Sequence, residues 1–232
     1  MTLFQVGTLV AFLQGIYESD YNFGQLAKKG NFGLGTLNAV DGEMVAVDGN
    51  FYRIDAMGKA AIIPPHACTP FAVVSQFTEV EPFVLNDVAN MAELNKLLDS
   101  HIKTPNIFHM IRIDCEVEWI RLRSEHCQIK AYKPLAEALP KAQTKYKLTN
   151  SRGTLVVSRC PGYSASFTIP GYHYHYINEK RTTGGHVFDL KIKSARVMIN
   201  PIRRFDMVLY DSPEFDQADL EVDILTALQK IE

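Results

Sequence analysis

The stretch PGYHYHYINEKRTTGGHVFD, residues 170–189, holds three of the chain's seven histidines, and its reading decides the C-terminal half of the fold. His173 and His175 alternate with Tyr172, Tyr174 and Tyr176, and His186 follows a pair of glycines. In a strand, residues two apart point the same way. The alternation therefore puts both histidines on one face and the three tyrosines on the other. A four-residue loop over 179–182 makes Asn178 face Thr183, and counting back sets His175 directly opposite His186. Directly opposite residues share a face, with Cβ atoms about 4.5–5.5 Å apart. The spacing thus predicts a hairpin with all three imidazoles on one side.

Three neutral imidazoles suit Zn²⁺, with Zn–N of about 2.0–2.1 Å and a fourth position open for catalysis. Other divalent metals accept imidazole as well. The alternative is an aromatic strand pair whose histidines are hydrogen-bonded or exposed. A single histidine favours that alternative, whereas three on one face favour a metal, so His173, His175 and His186 are the candidate ligands. The pattern His173, His175, Glu179, Gly184 has a superficial similarity to the first motif of cupins, which suggests a cupin-like oxygenase as a second reading. Phe167 stands where that motif expects glycine, however, and no histidine follows His186 to act as a fourth ligand.

Working outward, 232 residues suffice for one large domain or two small ones. Hydrophobic content of 47% and charged content of 22% describe an ordinary globular protein. The formal net charge of -2 offers nothing to nucleic acid or an anionic membrane surface. The opening MTLFQVGTLVAFLQGIYESD has no basic leader region and is too interrupted to span a bilayer. Its Val6, Leu9, Val10, Leu13 and Ile16 recur at helical spacing. The four cysteines form no C-x-x-C pair and read as free thiols, which fits a cytoplasmic location.

GLGTLNAVDGEMVAVDGNFYRI reads as strands broken at Asp41-Gly42 and Asp48-Gly49, both tight-turn signals. AAIIPP and PFAVVSQF read as further strands. NDVANMAELNKLLDSHI reads as a helix capped by Asn86 or Asp87, with Val88, Met91, Leu94, Leu97 and Leu98 along its stripe. FHMIRIDCEVEWIRLRSEHCQI is extended and alternating, and DQADLEVDILTALQKIE reads as a closing helix. The predicted class is α+β. A mixed β-sheet part with flanking helices occupies 1–130, and a strand-rich, barrel-like part with the histidine hairpin and a C-terminal helix occupies 131–232.

GTLNAVDGEMVAVDGNFYRI, the WIRLRS strand and GYHYHYINEKRTTGGHVFD together resemble the acetolactate decarboxylase family, in the same order and across essentially the whole chain. The resemblance implies a cytoplasmic, homodimeric, usually zinc-dependent lyase that converts (S)-2-acetolactate to (R)-acetoin and CO₂. It implies His173, His175 and His186 as metal ligands. In DGEM it implies Glu43 as an active-site glutamate, in GLGT Thr36 as a threonine near substrate, and in LRS Arg123 as the family's arginine. It also implies a glutamate from the C-terminal tail, for which Glu232 is the positional match and Glu221 the alternative. Read by themselves, Glu43 is a residue after a turn, Thr36 an ordinary strand threonine, and Arg121 and Arg123 two arginines on one strand face.

Overall fold

The structure, a computed structural model, describes residues 1–221. Alternating apolar runs separated by turn residues build two β-sheets with few, short helices, an α+β arrangement. The chain enters with β1 (Thr2–Val6), turns at Gly7 and forms α1 (Leu9–Leu13), capped by the Thr8 side chain. The single helix expected from Val6 to Ile16 is thus a strand followed by a short helix. Both sides of β1 are covered, so its apolar run lacks the alternation that marks a strand.

After α2 (Phe23–Leu26), β2 (Phe32–Thr36), β3 (Glu43–Val47) and β4 (Asn50–Ile54) form an antiparallel meander that continues into β5 (Ala60–Ile62). Asp48-Gly49 is the two-residue turn expected, with both residues at positive φ and Val47 paired to Asn50. Asp41-Gly42 instead ends a longer connection that includes a 3-10 turn over Asn38–Val40. β6 (Ala72–Ser75) lies between β1 and β2.

β7 (Phe83–Val88) precedes α3 (Met91–His101), whose cap is Asn90 rather than Asn86 or Asp87. The Asn90 side chain accepts from the backbone N–H of Glu93, while Asn86 and Val88 remain paired in the sheet. Leu94 and Leu98 are the fully buried part of the helix stripe.

The second sheet is made from long strands: β8 (Phe108–Glu125), β9 (Gln143–Cys160) after the short α4 (Leu135–Ala138), then β10 (Gly171–Asn178) and β11 (Gly184–Ile202). Its order is β10-β9-β8-β11-β7, and β10 also pairs with β11. The pairings β10–β9–β8–β11 therefore return to β10. β12 (Arg204–Val208) runs parallel to β1 on the edge of the first sheet, and α5 (Pro213–Asp216) follows.

The expected boundary between 130 and 131 falls between β8 and β9, which pair with each other from Phe108's neighbour His109 to Glu125. Each sheet takes strands from both sides of that point, because β12 joins the first and β7 and β8 join the second. A core of Leu3, Phe32, Leu34, Val45 and Ile54 from one sheet with Met110, Val156, Ile177 and Ile202 from the other welds the two together. The closing helix expected over residues 216–232 falls largely on positions that, like Glu232, lie outside the described residues. No helix among the described residues is long and apolar enough to cross a membrane.

Candidate metal centre and active site

The hairpin register is the one the spacing predicts: His175 opposes His186, Tyr176 opposes Gly185 and Ile177 opposes Gly184. Asn178 closes the loop, its N–H donating to Thr183 O at 2.9 Å and its side-chain oxygen accepting from the N–H groups of Thr182 and Thr183. The two glycines before His186 have a steric reason. A Cβ on Gly184 would lie 2.1 Å from Tyr176 O, and one on Gly185 2.5 Å from Arg123 O. Bare backbone here lets β11 approach β10 and β8 at once.

Across the strands, His175, His186 and Arg123 lie in one row, because His186 also pairs with Arg123 of β8. His173 Nε2 and His186 Nδ1 are 3.3 Å apart. The ligand atoms of all three histidines lie within 4.8 Å of one another. The tyrosines take the reverse face. Tyr174 and Tyr176 are buried in the core beneath α3, and the Tyr172 hydroxyl donates to Asp99 at 2.8 Å.

The first sheet covers the histidine face with the start of β3. The Nδ1–H of His175 donates to the Met44 carbonyl at 2.8 Å, so Nε2 is the nitrogen left for another bond. Nε2 is buried and makes no hydrogen bond among the described residues, though Glu43 Oε2 lies 3.1 Å away. Burial pushes His175 down to about 3 and carries His173 and His186 well below the ordinary histidine value. The neighbouring imidazoles and Arg123 push His173 and His186 the same way.

These features fit a metal. The imidazoles are held neutral, one buried nitrogen is unbonded, and the 3.3 Å separation matches the roughly 3.3 Å between two nitrogens on a tetrahedral zinc with bonds of about 2.05 Å. The Met44 carbonyl behind His175 is the kind of partner that fixes a ligand's tautomer and orientation. The three-histidine cluster can hold a metal ion.

Thr36 and Glu43 are directly paired at the β2–β3 end that faces the cluster. Thr36 Oγ1 donates to the Gly42 carbonyl at 2.7 Å, which pins the backbone immediately before Glu43. Burial raises the Glu43 carboxyl well above the usual range, and so do the charge of Glu125 and a hydrogen bond with it, while Arg123 acts in the opposite direction. Arg123 Nε lies 3.3 Å from Glu125 Oε1. Its guanidinium also stands over the Phe188 ring, 5.1 Å from the centroid.

Thr36, Glu43, Arg123, His173 and His186 all line one cavity of about 330 Å³, whose walls are otherwise mostly apolar. His175 sits just behind this lining, 1% exposed. Glu221 is exposed and lies outside the lining. Glu125 lines the cavity too, and sequence reasoning passed over it. Its signal was present, since it follows Arg123 by two residues on the same strand face, but nothing local separates it from the other acids.

The family model described as alpha-acetolactate decarboxylase matches residues 3–222. The chain belongs to that family. The alpha-acetolactate decarboxylase of Methylococcus capsulatus is 38% identical over 94% of this chain and 84% of that relative. The alpha-acetolactate decarboxylase of Methanosarcina mazei is 36% identical over 99% of this chain and 80% of the relative. The crystal structure of the alpha-acetolactate decarboxylase from Bacillus subtilis strain 168 superposes with a TM-score of 0.96, at 31% identity, covering 100% of this chain and 99% of the other. Membership of the alpha-acetolactate decarboxylase family sets aside the cupin-like oxygenase reading.

Proposed function

We propose that this chain catalyses the metal-dependent decarboxylation of (S)-2-acetolactate to (R)-acetoin and CO₂. The observation that carries the reading is the convergence of a three-imidazole cluster, an arginine and a buried carboxyl raised well above its usual range on one cavity. His173, His175 and His186 would hold the ion, which we take to be Zn²⁺. When bound, it supplies a Lewis acid for the negative charge that develops on the ketone oxygen as CO₂ leaves.

The chain's own residues carry the rest. Arg123 binds the substrate carboxylate in charge-assisted hydrogen bonds and so aligns the bond to be broken. The electron pair left on C2 passes into the adjacent ketone. Glu43, whose carboxyl burial and Glu125 raise well above the usual range, then delivers a proton to C2 from one face, which makes a single acetoin enantiomer. Thr36 holds the Gly42 carbonyl and with it the backbone that aims Glu43. The mostly apolar walls limit the water around the reacting groups and strengthen each of these interactions. Glu232 remains the proposed tail glutamate, with Glu221 as the alternative.

The cycle of pairings β10–β9–β8–β11 supports the barrel-like reading of the strand-rich part. The family resemblance supports a cytoplasmic homodimer. The deciding experiment is to supply purified, zinc-loaded protein with racemic acetolactate. Acetoin and CO₂ should appear and should cease on chelation. Absence of turnover in the metal-loaded protein would refute the enzyme assignment.

A further inference from the structure

We propose that Glu125 is a positioning residue of this site, one side chain that orients both the Arg123 guanidinium and the Glu43 carboxyl toward the histidine cluster. The inference rests on the decarboxylase reading for what the two oriented groups do. It rests on geometry for the orienting itself.

Glu125 ends β8, two residues after Arg123, so both side chains leave the strand on the face that lines the cavity. It is 5% exposed. Its Oε1 lies 3.3 Å from Arg123 Nε, on the side of the guanidinium nearest the chain. A carboxylate placed there restricts rotation of the planar group and turns its outer fork toward whatever occupies the cavity. The same carboxyl lies against that of Glu43, which comes from the other sheet and lines the same cavity.

Glu125 is therefore the point where the strand carrying Arg123 meets the strand carrying Glu43. His175 lies 3.1 Å from Glu43 on the side facing the cluster. Glu43 is thus held between a histidine and a second acid. Burying one carboxyl beside another is unfavourable, and an apolar residue would fill the end of β8 at lower cost if packing were its only task. The arrangement is instead what is needed to fix two polar groups from different sheets at one relative position.

The test compares Glu125→Ala and Glu125→Gln with the parent protein in the zinc-loaded state. It uses kcat and KM for acetolactate, metal content, thermal midpoint, and the Kd of 2-hydroxy-2-methylpropanoate, a hydroxy acid that lacks the ketone and is used only as a binding probe. Glu125→Ala should keep a parental metal content, raise KM and the probe's Kd about tenfold through Arg123, and lower kcat about tenfold through Glu43. Glu125→Gln keeps an acceptor for Arg123 and a donor for Glu43, and should recover part of both losses.

Parental kcat, KM and Kd in either folded variant would overturn the proposal. A loss that tracks metal content or thermal midpoint would also overturn it, because Glu125 would then be structural. If Glu125→Ala does not fold, Glu125→Gln decides on the same criteria, and failure of both to fold counts against positioning. Parent protein that binds the probe without turning over acetolactate would refute the decarboxylase reading, while the Kd comparison would still read the role of Glu125.

Discussion

His175 of β10 donates from Nδ1 to the carbonyl oxygen of Met44 in β3, 2.8 Å away. This single bond ties the histidine face of one sheet to the strand of the other sheet that begins with Glu43. The ligand cluster and the acid are therefore registered to each other through backbone. A side-chain substitution at Met44 leaves that carbonyl in place.

Replacing His175 with Ala should remove both the Nε2 ligand and this link. Metal content should fall from about one ion per chain to below roughly a tenth, with acetoin formation falling alongside it. Metal analysis after dialysis against a metal-free buffer checks the outcome. Full occupancy in the variant would show that the three-histidine cluster is not the binding site.

Glu43→Gln preserves the shape of the side chain but removes the proton that it would deliver. Positioned acid catalysis contributes about 10²- to 10⁴-fold, so kcat should fall by at least about 100-fold while zinc stays bound. Steady-state kinetics on the zinc-loaded variant give the answer. A kcat within a few-fold of the parent would remove Glu43 as the proton donor.

Gly184→Ala should destabilise the hairpin from within. The added Cβ would meet the Tyr176 carbonyl at 2.1 Å, and that atom belongs to the backbone of the paired strand. Strain of this kind costs about 1–3 kcal/mol. Denaturant unfolding would register it as a lower midpoint with an unchanged slope, and an unshifted midpoint would contradict the close approach.

His109 makes stability depend on pH. Burial, assisted by the Arg159 charge, pushes it down to about 4, and its Nδ1 has no hydrogen-bond partner among the described residues. The native state therefore favours the neutral ring, while the unfolded chain takes up a proton below about 6.5. The native state's advantage is complete above the unfolded value and diminishes as pH falls from about 6.5 toward 4. The contribution lost is about 1–3 kcal/mol. Unfolding of parent and His109→Gln in the presence of chelator, at neutral pH and near pH 4, measures it. A parent-to-variant stability difference that stays constant across that interval would sink the prediction.

The hairpin was legible because its determinants are local. Period-two alternation and a four-residue loop place His173, His175 and His186 on one face without knowledge of anything else in the chain. Asp48-Gly49 was legible for the same reason, since a two-residue turn at positive φ selects that pair. Errors arose where one apolar run satisfies two periodicities. The run containing Val6 and Leu9 matches a helix, but β1 is covered on both faces and pairs with β12 about 200 residues later. Asn86 can cap a helix, yet its pairing with Ser194 keeps it in β7 and moves the cap to Asn90.

The sequence by itself determined the three-imidazole face and, through the family's motifs, named Thr36, Glu43 and Arg123. Only the tertiary structure brought those residues onto one cavity, because the β3 and β8 residues concerned lie about 80 positions apart and no local spacing relates them. It also set the nitrogen that His175 offers, through a carbonyl whose identity is invisible in a side-chain sequence. Glu125 shows the same division. Its residue type was readable from the start, but its role depends on two partners, one from each sheet, that meet only when the sheets pack.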